Sequence, residues 1–156
     1  MNNISFFRFE QILPFIHISG AILFISAQFV VVFLTKYALK NPDYLKSAIN
    51  NLKRLFLAWI ILVIIICLSG FLLSNAPQTA DPMLKAIIAT KWAVVGFVIV
   101  NICYMIYRLN LAQKSLLNDD IIITKENFIL ICYYFTPLNI VLSFVSVYLG
   151  VSVSEF

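Results

Sequence analysis

Charge is what this chain has least of. Asp, Glu, Lys and Arg together make up 12% of its residues, about half the share usual in a soluble domain. Such a composition cannot cover a water-facing surface, and a chain this short has no room to hide so much apolar side chain. Histidine occurs once, as His17, so a bis-histidine haem site cannot be built within one chain. Three cysteines, Cys67, Cys103 and Cys132, all lie within apolar stretches and form no C-x-x-C. They read as small apolar fillers, not as a disulfide framework or a zinc site. Methionine is too sparse for a dedicated Cu(I) conduit. G-x-x-x-x-G-K-[ST], H-E-x-x-H and G-x-S-x-G are all missing, which removes the P-loop, zincin and serine-hydrolase chemistries. The net charge of +4 comes without a basic stripe interleaved with aromatics, so nucleic acid is not an expected partner.

What is present is four long apolar runs, Ile12–Leu34, Leu55–Leu73, Ala86–Tyr107 and Phe128–Val153. Each is close to or above the roughly 20 residues that cross about 30 Å of hydrocarbon. Backbone in lipid must satisfy its own hydrogen bonds, so the runs are expected to be helices. The first run is longer than a secretory h-region and its flank is barely basic, so it is read as a mature helix. The expected fold is all-α: one polytopic domain over residues 1–156, with four transmembrane helices at about 11–35, 44–74, 82–112 and 125–152 in an antiparallel up-down bundle.

Local signals mark the ends. Asp81-Pro82 is an N-cap followed by proline at the first helical position. Thr124 stands as a hydroxyl cap before the fourth run. Asp43 can cap a lead-in to the second helix, in which Leu45, Ala48, Ile49, Leu52, Leu55 and Phe56 repeat at helical spacing; this segment is expected to lie amphipathically at the membrane interface and feed straight into the helix, or to be an ordinary extension of it. Pro137 is expected to kink the fourth helix and free the carbonyl of Tyr133. Tyr133, Tyr134 and Phe135 read as interfacial belt residues.

Basic residues set the orientation. Lys36, Lys40, Lys46, Lys53 and Arg54 flank the first connection, and Arg108, Lys114 and Lys125 flank the third. The positive-inside rule puts both connections in the cytoplasm of a bacterial-type inner membrane and both termini outside.

Two ionisable residues interrupt the apolar runs: His17 in the first and Lys91 in the third. A charge at mid-bilayer costs about 2.5 kcal/mol or more, so each needs a partner or a task. His17 lies about 9 Å into its helix and Lys91 about 13 Å along its own, from the same side. At that similar depth they are expected to share an outward-leaning polar site. For Lys91 the competing reading is snorkelling to the headgroups; for His17 it is a plain hydrogen bond to a neighbouring helix. Gln28 falls within about 20° of His17 on the first helix, and Asn101 and Arg108 share a face of the third. Gln28, Asn101 and Arg108 therefore join the candidate ligand-binding set, although amides in membrane helices more often bond across to neighbours. As a neutral imidazole, His17 is the candidate metal ligand.

The segments Arg54–Leu73 (RLFLAWIILVIIICLSGFLL) and Lys85–Asn110 (KAIIATKWAVVGFVIVNICYMIYRLN) resemble the core of copper resistance D-type membrane proteins. The likeness rests on Gly70, Lys91, Arg108 and Asn110. Phe15–Phe29 (FIHISGAILFISAQF) is similar to the first helix of HemJ-type protoporphyrinogen oxidases, in which the matches are His17 and Lys91. The resemblance implies a small inner-membrane protein that binds or passes a metal, haem-like or other small ligand at its His/Lys site. Haem b and copper are the cofactors it implies, with His17 as the haem-associated histidine. Two alternatives stay open: a haem-linked porphyrinogen oxidase, and a non-catalytic subunit of a homo-oligomer or larger membrane complex.

Overall fold

The computed structural model describes residues 9–74 and 82–153. All regular structure among them is helical. Helix α1 (Phe9–Lys40) is followed by a 3-10 turn (Pro42–Tyr44), then α2 (Leu45–Ser74) and α3 (Pro82–Leu117). The fourth span is continuous but changes its winding: α4 (Ile121–Leu130), a π turn (Ile131–Phe135) and α5 (Thr136–Val153). Four helices are long and apolar enough to cross a membrane, and the chain is a multi-pass membrane protein by that measure.

The helices form a ring in which α1 packs on α2, α2 on α3, α3 on the fourth span, and the fourth span returns to α1. Neighbours run antiparallel. Along α1 and α2, His17 meets Ser69 while Phe24 meets Trp59, so one index rises as the other falls. The same holds for Asn101 with Asn139 and Arg108 with Asn127 across α3 and the fourth span. One end of the ring carries the short connections at 41–44 and 118–120 (the connection end); His17 lies towards the other.

The interior is written in 3–4 spacing. The buried positions of α1 are Gly20, Phe24, Gln28, Val31, Thr35 and Ala38; on α3 they are Val98, Asn101, Ile102, Met105, Leu109 and Ala112. With lipid outside as apolar as the core inside, close packing rather than water exclusion holds such helices together. That packing is uneven. On α3 the first buried residue is Val98, four turns in, and among the α2 residues whose burial is described only Ser69 is buried beyond Trp59. The bundle is tight at its connection end and opens towards the end that holds His17 and Lys91.

Four local expectations change or are decided. The helices extend past the apolar runs, because the connection-end turns of α1 and α3 still pack on protein: Ala38 and Ala112 are fully buried. The lead-in to α2 is an ordinary extension of that helix, with most of its apolar side turned into the bundle and Leu55 only partly covered. Leu45, Ala48, Ile49, Leu52 and Phe56 are buried in the bundle core, while Lys53 on its other side donates to Gln113 of α3. The cap of the fourth span is Asp120, whose carboxylate accepts from the amide of Ile123 at 3.1 Å; Thr124 is a turn inside, buried, with its hydroxyl 3.3 Å from the carbonyl of Ala112. At Pro137 the adjustment is the π turn just before it, closed by the Thr136 amide and hydroxyl on the carbonyl of Ile131, the latter at 2.7 Å. The expected cap at Asp81 lies outside the described residues. Cys132 is buried, Cys67 half-buried and Cys103 exposed, all as free thiols. Tyr133 and Tyr134 are exposed, with the ammonium of Lys36 5.6 Å from the Tyr133 ring centre, whereas Phe135 turns in to pack on Tyr104.

Candidate functional site

His17 continues the inward stripe of α1 one turn before Gly20. Its Nδ1 lies 3.1 Å from the carbonyl oxygen of Ile66 and 2.9 Å from Ser69 Oγ, both on α2. The partners decide the tautomer. A carbonyl only accepts, and the Ser69 hydroxyl already gives its single proton to backbone at Ile65 O, 2.7 Å away. Nδ1 must therefore carry hydrogen and donate. In the neutral ring the lone pair is then on Nε2, which no described residue engages. A backbone carbonyl holding one ring nitrogen so that the other is free is the usual arrangement of a ligating histidine, and equally of a proton acceptor.

Gly70 makes the fit possible. A Cβ there would come within 3.0 Å of His17 Cε1, closer than ordinary contact. Across the ring, Lys91 of α3 is half-buried and reaches the fourth span: a Cβ on Gly150 would lie 3.5 Å from its Nζ. The ammonium is close enough to the imidazole for their charges to interact, and it has no hydrogen bond or ion pair with any described residue. Four helices thus meet at this end: α1 and α3 bring basic nitrogens, α2 brings the glycine that makes room for His17, and the fourth span lies in ordinary contact distance of Lys91 at Gly150.

The other candidates are elsewhere. Gln28 sits three turns deeper, fully buried, and donates from Nε2 to Ser143 Oγ at 2.9 Å. Asn101 donates to the carbonyl of Phe135 at 2.9 Å and to Asn139 Oδ1 at 3.2 Å. These amides join α1 and α3 to the fourth span at mid-bundle. Arg108 lies towards the connection end, donating to the Tyr104 hydroxyl at 2.6 Å and to Asn127 Oδ1 at 3.4 Å. His17 and Lys91 are brought to the same end of the bundle, near enough for their charges to interact; Gln28, Asn101 and Arg108 lie deeper or towards the connection end.

Sequence reading missed Ser69, Gly150 and Ser143. Ser69-Gly70 could have been found as a small polar pair interrupting an otherwise bulky run. Gly150 and Ser143 carried no such signal, since small residues are common in membrane helices.

The donor set suits some ligands and not others. No group of three or more His, Cys, Asp or Glu that could hold a metal ion forms among the described residues, so a protein-only copper or zinc cage does not fit. A single nitrogen ligand from His17 Nε2 would suit the iron of a haem-like group, and the ammonium of Lys91, unpaired among the described residues, would suit a carboxylate beside it. The chain matches no protein-family model, no curated protein and no solved structure.

Proposed function

We propose that this chain is a small integral membrane protein of the copper resistance D/HemJ-like type, which binds a small carboxylate-bearing or metal-bearing ligand at His17 and Lys91. The observation that carries the reading is the pairing of a pre-oriented Nε2 lone pair with a half-buried ammonium that no described group neutralises. An unpaired cation in an apolar span is costly, and an anionic ligand removes that cost. His17 would hold the iron of a haem-like group through Nε2, and Lys91 would pair with a carboxylate on it; such a group would supply redox chemistry at its iron. The basic residues gather at the connection end, at Lys36, Lys40, Lys46, Lys53, Arg54, Lys114 and Lys125. In a bacterial-type cytoplasmic membrane that bias turns the His17 end outward.

The test is an absorption spectrum with metal analysis of full-length protein purified in mild detergent from haem- and copper-replete cells. The expected result is a bound chromophore or metal that His17→Ala abolishes and Lys91→Ala weakens. Wild-type protein that is colourless and metal-free would refute the haem and metal readings. No change in small-carboxylate binding by Lys91→Ala would remove the remainder.

A further inference from the structure

Among the described residues, three side-chain polar atoms are completely buried and have no hydrogen-bond partner: Gln28 Oε1, Asn139 Nδ2 and Trp59 Nε1. All three residues are at zero exposure. Amide orientation is ordinarily ambiguous, but the surrounding bonds remove the ambiguity. Ser143 gives its hydroxyl proton to the carbonyl of Asn139 at 2.7 Å. The atom that Gln28 presents to Ser143 must then be a donor, its nitrogen, and the oxygen is left over. Asn101 presents one atom to the carbonyl of Phe135, so that atom is nitrogen. The same nitrogen faces Asn139, so Asn139 answers with its oxygen and its own NH₂ is left over. The indole N–H of Trp59 is a donor without choice. What remains is one acceptor and two donor groups.

They belong to one slice of the bundle. Gln28 is bonded to Ser143, one turn from Asn139 on the same helix. Trp59 packs edge-on against Phe24, one turn from Gln28 on α1. Side chains lean towards their helix N-termini, so Trp59 on α2 leans towards the connection end and Gln28 on α1 leans the opposite way, towards it.

We propose that one or two water molecules are bound in this slice, accepting from Trp59 Nε1 and Asn139 Nδ2 and donating to Gln28 Oε1. Water is the ligand that fits. It both accepts and donates, and buried waters typically make about three hydrogen bonds to groups the protein leaves unsatisfied. A metal cation would not tolerate two N–H donors, and an anion would meet the Gln28 carbonyl. The site is independent of His17 and Lys91: it uses other residues, deeper in the bundle.

The test is water-to-protein cross-relaxation measured by NMR on full-length, ¹⁵N-labelled protein in nanodiscs. Trp92→Phe leaves Trp59 as the single indole signal, and Trp59→Phe and Asn139→Asp help assign the rest. The expected result is a cross-peak at the water frequency from the Trp59 indole proton and from the Asn139 amide protons, with the sign of a long-lived contact. Gln28→Leu should weaken the Trp59 cross-peak by removing the acceptor that anchors the water. Sharp, assigned indole and amide signals without water cross-peaks would overturn the proposal. So would a direct contact from the Trp59 indole proton to a protein oxygen.

Discussion

The Asn101–Asn139 pair offers a measurable link between sequence and packing. Asn101 makes two bonds to the fourth span, at 2.9 Å to Phe135 O and 3.2 Å to Asn139 Oδ1, and both amides are buried. Hydrogen bonds between membrane helices average about 0.6 kcal/mol, with an upper value near 1.7. Asn101→Ala loses both bonds and some packing, and should cost about 1–2 kcal/mol. Asn139→Ala removes only the shared bond from this pair. The double mutant should then be less destabilised than the sum of the two, by about 0.6 kcal/mol, or roughly threefold in the folding equilibrium constant. Reversible unfolding in mixed micelles, titrated with SDS and followed by tryptophan fluorescence, supplies all four corners of the cycle. Strict additivity would mean that the two carboxamides do not meet, and the Asn101–Asn139 bond between α3 and the fourth span would be wrong.

Gly70→Ala should destabilise by about 1–3 kcal/mol in the same assay, because the new methyl meets an imidazole already pinned at Nδ1, an overpacked site. Gly96→Ala is the contrast: no atom lies within 4 Å of its added Cβ, so the better helix former should be neutral or stabilise by about 0.5–1 kcal/mol. Asp120→Ala removes the side-chain cap on the Ile123 amide and should cost about 1 kcal/mol, whereas Asp120→Asn should cost little. The imidazole ¹⁵N shifts of His17 should report hydrogen on Nδ1 and a bare Nε2 when the ring is neutral; the opposite tautomer would contradict its bonds to Ile66 and Ser69.

Much of this architecture was legible before any coordinates. Runs of about 20 apolar residues have few options in lipid, and Pro82 begins α3 as its position after Asp81 suggested. The misread and undecided points share a cause. Thr124 and the lead-in at Leu45 each look like helix edges by local chemistry, yet both are buried against another helix, and only the neighbour explains why the helix continues through them. Gln28 and His17 share a stripe on α1 but serve different helices, α2 for His17 and the fourth span for Gln28. A helical wheel assigns an angle; it does not say which neighbour stands at that angle at each height.

Sequence alone determined the class of solvent, the number of spans, and the two places where a basic group is held in apolar surroundings. These follow from transfer free energy and helix length, which are properties of each segment by itself. Tertiary structure decided the rest: that Ile66 and Ser69 orient the His17 ring, that Gly70 leaves room for it, and that three buried polar atoms among the described residues are left over at mid-bundle. Those depend on which residues of different helices come level with one another, and that is settled only when the helices pack.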